Sequence, residues 1–569
     1  MIIKQSLSAL FCLCVVSHPL YAEDTMAIES KRLPAITAEQ SPPLPAIMQA
    51  RTRPSSAGRH IVPLHKRTVT ETQQILQEKK TVQDPLAAAQ QQSRMATAPA
   101  PLINFEGISG DDNQAVFGYS PTPSDVNGDI GVNHYVQMVN NLYQIFDKQT
   151  GDALIGPFKL SRLFAAAGVT GACATEDQGD PIVLYDALAN RWLLSQFNFK
   201  TNSVGVDKPP YHECIAISAT DDPTGSYYVY DFVIPNDYMG DYPKFGVWND
   251  GYYMTIAQYK GQNFKGEAVM VFDRKNMLQG KAAGVNYHNL ASQPNLSVLL
   301  PSDNDGDAPP VGTPNYVIGF GNNMYTNKLR IFEVKADFST ATTTGSIKER
   351  PPLKVATFNP DICRNDAGNC IPQPSGLNGR QQKLDALSDR PLHRLQYRYF
   401  AQGCPVDGAL NGCATLVFNH TVRGNKIGEA AVRWYLLKQN TATKALGVAQ
   451  QGSFAPDSTS RWMGSAALNK RGDLAIGYSL SSSSLYPSVG YAGRLVDDAP
   501  NALTLEGRLY TGHGAQTDSE RWGDYSTLSV DPVDDCTFWY TNQYYANNRA
   551  GFNWLWRTRI GSFKLSNDC

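Results

Sequence analysis

Charged residues recur at the openings of repeated β-like units, and they are the side chains best placed to act together. Asp125, Asp241 and Arg461 each precede a turn residue (Asn133, Asn249, Asn469) by eight positions, Asp524 precedes Asp531 by seven, and Asp180 precedes Asp186 by six. Arg390, His393, Arg394 and Arg521 fall in the equivalent zone. If the strands they open line one axis, these groups converge on one channel mouth. There Asp125, Asp180, Asp241, Arg394, Arg461, Arg521 and Asp524 would bind a polar or anionic ligand, the guanidinium forks suiting carboxylate or phosphate. A carboxylate pair drawn from Asp180, Asp241 and Asp524 would instead suit glycoside hydrolysis, at a separation of about 5–10 Å. The competing reading makes these charges struts that pair with one another and hold the units together.

Other chemistry is absent. There is no Gly-x-Ser-x-Gly elbow, no Walker loop, and His212-Glu213 lacks the second histidine of a zinc helix. The run SDNDGD at 302–307 resembles a calcium loop, but aligning Gly306 with the loop glycine puts Pro301 and Gly312 at the ligand ends, so it reads as a solvated turn. No metal or cofactor is expected.

The elements that must position the charges are short strands. The stretch RWGDYSTLSVDPVDDCTFWYTNQYY at 521–545 alternates, turns at Asp-Pro-x-Asp-Asp and resumes in an aromatic run, which is a hairpin. Related units open near 129, 179, 240, 296, 390 and 461, each with strand runs at hairpin spacing. The expected fold is all-β, a seven-bladed propeller over 101–569, with six blades if the fourth unit is misread. The seventh unit has three clear runs, so a strand near 102–107 is expected to supply its fourth and close the ring. Four Arg-Trp pairs (Trp192, Trp434, Trp462, Trp522) read as core tryptophans between blades.

Residues 1–22 have a basic start, an apolar run and a small residue at Ala22, the pattern of a secretory signal peptide. Residues 23–100 are rich in Pro, Ala and Gln and read as a largely disordered or loosely helical leader, with a polar helix near 68–95 and a cleaved pro-segment as the alternative. Beyond the signal peptide lie eight cysteines, an even number suited to an oxidising compartment. Cys363/Cys370 and Cys404/Cys413 bracket polar loops, and Cys173/Cys214 with Cys536/Cys569 would complete four bridges. Net charge is −2, which gives no global pull towards nucleic acid, and no later stretch reaches membrane-span length.

The runs GDPIVLYD at 179–186, DYPKFGVW at 241–248, RWMG at 461–464, RWGDY at 521–525 and DCTFWY at 535–540 resemble a family of secreted bacterial β-propeller proteins of unassigned activity, distantly similar to sialidases. TDDPTGSYY at 220–228 is similar to the Asp-box turn of that superfamily, where its role is structural. The resemblance implies export and a propeller over 102–569. Sialidases hold a substrate carboxylate with three arginines beside a tyrosine nucleophile, and the likeness would give those roles to Arg394, Arg461 and Arg521, with Tyr525 or Tyr397 nearby. Their Arg-Ile-Pro opening is missing.

The sequence therefore points to a secreted or periplasmic monomer that binds a glycan-like ligand or a cell-surface component at the channel mouth. A sialidase-like glycoside hydrolase and a non-catalytic structural or adhesive surface protein are the alternatives.

Overall fold

The computed structural model describes residues 27–47, 58–61, 84–202, 207–293, 296–321, 327–363, 369–424, 426, 428–440, 443–548 and 556–569. The expected signal peptide, and most of the helix expected near 68–95, lie outside these residues.

The chain is mostly β-strand with few short helices. Among the described residues most strands fall into seven antiparallel four-strand units, the first six laid down in sequence order, and Gly58–Ile61 pairs in parallel with Tyr119–Thr122 outside them. The first is Asn127–Ile130, His134–Val139, Leu142–Asp147 and Ala153–Phe158, and the second Gly179–Asp186, Arg191–Thr201, Asp207–Ser218 and Tyr227–Val233. The third is Met239–Val247, Tyr252–Lys260, Asn263–Phe272 and Ala283–Asn289, and the fourth Leu296–Gly306, Asn315–Gly321, Lys328–Lys335 and Ser346–Glu349. The fifth is Pro391–Phe400, Cys413–Arg423, Ala430–Gln439 and Leu446–Phe454, and the sixth Ser460–Leu468, Leu474–Ser481, Ser488–Arg494 and Leu505–Tyr510. The seventh is Thr527–Val530, Phe538–Tyr544 and Arg557–Phe563, completed by Ile103–Glu106 from the start of the chain, which pairs antiparallel with its third strand. Parallel pairing of Ser302–Gly306 with Leu395–Tyr399 fuses the fourth and fifth units into one nine-stranded sheet.

The first strand of each unit packs on the first strand of the next, and the seventh packs on the first. Such inner strands carry a free edge of backbone N–H groups, which cannot stay unpaired in the interior. Side chains from the neighbouring unit supply the acceptors. Asn127 Oδ1 accepts from Val183 N and Asp129 Oδ2 from Tyr185 N, both at 2.7 Å, and Asp180 Oδ2 from Tyr242 N at 3.2 Å. Asp303 Oδ1 accepts from Val247 N at 2.9 Å, Gln396 Oε1 from Leu468 N at 2.7 Å and Ser465 Oγ from Leu528 N at 3.0 Å. Asp125 Oδ1 accepts from Asp524 N at 2.9 Å and so joins the seventh unit to the first. Polar residues in these strands are thus part of the framework.

Within 27–100, the described residues include strands that pair with these units. Glu29–Ile36 adds a fifth strand to the third unit, Glu39–Gln40 one to the second, and Ala96–Thr97 a parallel one to the sixth. The reason is again an open edge: the outer strands of these units offer unpaired backbone groups, and a polar segment can pair with them without burying an apolar face. The short helix Pro85–Gln90 packs on the fifth unit, anchored by Asp84.

Trp192, Trp434, Trp462 and Trp522 are all buried, and so are Arg433, Arg461 and Arg521 beside the last three. The turn at 220–228 joins the outer two strands of the second unit, with Asp222 Oδ1 accepting from Thr224 N at 2.8 Å. Four disulfides are present, Cys173–Cys214, Cys363–Cys370, Cys404–Cys413 and Cys536–Cys569, which fits an oxidising, non-cytoplasmic setting. No described helix is long and apolar enough to cross a membrane.

Candidate functional site

Where the first strands begin, the backbone is irregular in the same way several times. Asp125, Asp180, Tyr242 and Met463 have φ of 46°, 47°, 55° and 54°, a left-handed conformation costing about 1–3 kcal/mol in a non-glycine residue. Register shifts follow between Gly179 and Ile182, Asp241 and Lys244, and Trp462 and Ser465. These bulges turn the opening side chains inward. The outcome is a buried polar cluster of Asp125, Asp180, Asp524, Arg521, Lys244, Tyr242, Tyr525 and His393, with Asp241 at its edge.

Most members have structural partners, whereas His393 Nε2 is buried without one. Asp125 also accepts from Asn140 Nδ2 at 2.6 Å, and Arg521 Nη2 grips both oxygens of Asp524 at 2.8 and 2.9 Å. The Lys244 ammonium donates to Pro243 O at 2.9 Å and lies 3.6 and 3.8 Å from the ring centroids of Tyr242 and Tyr525. Burial, reinforced by the Asp524 carboxylate, raises the Asp125 carboxyl to about 7. Burial raises Asp180 well above the usual range, with Asp125 and Asp241 adding to the shift. Lys244 is lowered to about 8 by burial, against the pull of Asp180. His393 is pushed well below its ordinary value by burial, with Lys244 and Arg394 adding to it, so it is neutral.

The expected constellation is therefore only partly assembled. Asp125, Asp180, Asp241, Asp524 and Arg521 do gather. Arg461 does not: its guanidinium lies in its own unit, on Asp457 at 2.8 Å and Glu506 at 2.9 Å, because the bulge after Trp462 gives the axial position to Met463. Arg394 lies further along the channel, bonded to Asp303 at 2.6 Å and to Asp305. The arginine trio implied by the sialidase likeness thus never meets around one point. The run at 302–307 is also corrected, since it lies largely in a buried strand where Asp303 and Asp305 serve Arg394 instead of solvent.

The strand-start mouth is covered. Ile362, Ile371, Leu384 and Leu387, from the long connection between the fourth and fifth units, pack with Val126, Leu392, Trp462, Met463, Trp522, Tyr545 and Trp556 in one apolar cluster. Cys363–Cys370 staples that connection, and Asp385 N donates to Glu520 O at 2.8 Å across it. The open funnel expected at this end is closed by chain inserted between units.

The opposite mouth is open. A small recess of about 20 Å³ is lined by Asp129, Ile130, Tyr185, Ala187, Asp305, Gly306, Val530, Pro532 and Asp535. Burial raises Asp129 to about 6 and Asp303, behind the recess, to about 7, in each case against the pull of Arg394. Arg398 pairs with Asp535. Sequence reasoning missed this end because it weighted strand openings. The signal was available in the paired acids of 303–305 and in Asp535 after the last hairpin turn.

Lys244 and Glu213 were also missed. Glu213 is buried with neither carboxyl oxygen hydrogen-bonded, and burial raises it to about 8. At pH 6 it is a neutral acid, and Glu213→Gln is expected to leave the melting temperature there unchanged while raising it at pH 9, where wild type must bury a charge. Equal shifts at both pH values in a melting series would disprove the assignment.

No protein-family model matches the chain, and no curated protein matches it in sequence. Among solved structures, similarity is found to the polysaccharide lyase Uly1 (TM-score 0.34, 12% identity, covering 93% of this chain and 100% of that one). It is also found to a family 43 β-1,3-galactosidase bound to galactodeoxynojirimycin (TM-score 0.27, 10% identity, 60% and 97%). A third is the WD40 domain of SCAP from fission yeast (TM-score 0.29, 8% identity, 82% and 90%). Scores this low carry no inference about this chain, whose architecture rests on its own strand pairing.

Proposed function

We propose that the chain is an exported seven-bladed propeller that acts as a binding ring, not a hydrolase, and recognises a polar, glycan-like or cell-surface ligand at the mouth where its inner strands end. The observation that carries this is the small recess between Asp129, Asp305, Asp535 and Tyr185, whose carboxylates keep lone pairs for ligand donors beside the bonds that Asp305 and Asp535 make to Arg394 and Arg398. The seven-blade reading is supported by the cyclic packing of first strands and by the strand borrowed from 103–106. A hydrolytic role for Asp180, Asp241 and Asp524 is disfavoured by the cover over that mouth and by the framework bonds that Asp180 and Asp524 make.

A glycan array is the direct test. Binding is expected with wild type, reduced about tenfold in Asp535→Asn and retained in Arg461→Met, with no new reducing ends released from bound glycans. Turnover of any arrayed glycan, or binding indifferent to Asp535→Asn, would overturn the reading.

A further inference from the structure

Away from the channel, on the outer strands of the second unit, side chains of the kinds that hold transition metals come together. Cys173 Sγ, a ring nitrogen of His212 and a carboxylate oxygen of Asp231 all lie within 4.8 Å of one another. Cys214, the disulfide partner of Cys173, adds a second sulfur. The edges of a tetrahedral zinc site with nitrogen, oxygen and sulfur ligands are about 3.3–3.8 Å, so donors this close need only small rotations to close on one ion.

Strand geometry sets them side by side. His212 and Cys214 are two apart on the strand Asp207–Ser218 and so share a face, and Asp231 is the cross-strand partner of Cys214 on Tyr227–Val233. Cys173 comes from the short helix Ala172–Thr175, in the connection that precedes the unit. That connection runs close: a Cβ on Gly171 would lie 3.5 Å from Asp231 Oδ2. His212 Nδ1 and Asp231 Oδ1 are 2.5 Å apart, a hydrogen bond that a shared ion would replace. The set matches no linear metal motif because its four members come from three separate segments.

The surroundings suit thiolates. Asn198 Nδ2 donates to Cys214 Sγ at 3.4 Å, and Asn198 Oδ1 accepts from Gln178 N at 2.9 Å, which fixes the amide with its donor towards the sulfur. Such outer hydrogen bonds orient and support metal ligands. Both cysteines are fully buried, whereas the side chains of His212 and Asp231 are 12% and 24% exposed, which gives an ion a way in from solvent.

We propose that these residues form a redox-switched zinc site: with the Cys173–Cys214 bond open, Cys173, Cys214, His212 and Asp231 bind one Zn²⁺, and closing the bond expels it. Opening takes two electrons and two protons from a dithiol, which leaves as its own disulfide. Zn²⁺ then displaces the two thiol protons. Closing passes two electrons to a disulfide oxidant, which takes up two protons and leaves as a dithiol while the ion is released. The thiolate is the metal ligand, so the closed form keeps only the His212–Asp231 pair and holds no zinc. The zinc form belongs to the chain before oxidation, where it keeps the right two of eight cysteines together.

Cys214→Ser frees the Cys173 thiol without a reductant and leaves the other three bridges closed, which isolates three of the four ligands. Titrated with Co²⁺, the full chain carrying this substitution is expected to show a thiolate-to-cobalt charge-transfer band at one ion per chain, and Zn²⁺ to displace the cobalt. Adding His212→Ala or Asp231→Ala should weaken Zn²⁺ binding at least about tenfold. Wild type is the second arm and decides alone if Cys214→Ser does not fold. Oxidised, it should take up no zinc that depends on His212. Opened by a phosphine with Zn²⁺ present, it should hold one ion more than its His212→Ala variant. The inference is overturned by a folded Cys214→Ser without the band, by zinc uptake indifferent to His212, by His212-dependent zinc in oxidised wild type, or by a Cys173–Cys214 bond that the phosphine leaves closed.

Discussion

Asp84→Ala is expected to destabilise the protein by about 3–5 kcal/mol and to make residues 84–97 sensitive to protease, because it strips the partner from a buried cation. Both side chains of the Asp84–Arg433 pair are 0% exposed. Arg433 Nη1 donates to both Asp84 oxygens at 3.0 Å, Ser453 Oγ donates to Oδ2 at 2.7 Å, and Leu86 N to Oδ1 at 2.8 Å. One carboxylate thus caps the helix Pro85–Gln90, neutralises an arginine of the fifth unit and pins the leader to the ring. Asp84→Leu/Arg433→Met, which replaces the pair with apolar groups, is expected to recover most of the loss, since paired burial of charge is costly in itself. Thermal melting and N-terminal mapping of proteolytic fragments measure both effects. A melting temperature unchanged by Asp84→Ala would mean that the leader is ornamental.

That leader marks where sequence reasoning stops. Its composition gives it no apolar stripe, so nothing local separates it from a disordered tail. Its order comes from edges and a charge supplied by units hundreds of residues away, as in the pairing of Glu29 with Asn289 and of Asp84 with Arg433. The units themselves were legible because alternation and turn chemistry are local. Asn133, Asn249 and Asn469 all fall in first turns, and 103–106 does complete the last unit.

The candidate site was half legible, for a related reason. That Asp125, Asp180, Asp241 and Asp524 meet follows from repeating one unit about an axis. That Arg461 turns away follows from a bulge that the motif Arg-Trp-Met-Gly does not announce. The cover over the mouth was foreshadowed only as excess unit length. The spacing between units implied long insertions, and one of them, with Leu384 and Leu387, lies on the polar cluster.

The polar cluster itself makes the last prediction: stability should fall as pH rises from about 6.5 to 8. Asp125 sits at about 7 and Glu213 at about 8 when folded, and Asp180 is also raised, so between their unfolded values and these the native state holds more protons than the unfolded chain. Stability contributed by raised acids is complete below their unfolded pKa and is lost as pH climbs through the folded one, at up to about 1.4 kcal/mol per pH unit for each group. Lys244, lowered to about 8, acts in the opposite sense only from there up to its unfolded value, and His393, held well below its ordinary value, does so only up to an unfolded value of about 6.5, so neither offsets the loss between about 6.5 and 8. The groups facing this cluster are Asp125, Asp180, Asp241, Asp524, Lys244, Arg390, Arg521 and His393. Asp180→Asn keeps a side-chain acceptor for Tyr242 N while removing one carboxylate, so its neighbours ionise with less repulsion. Melting curves at fixed ionic strength should show wild type losing several degrees across the window and Asp180→Asn losing clearly less. Parallel curves for the two proteins would mean that the carboxylates joining these strands do not share their protons as the geometry requires.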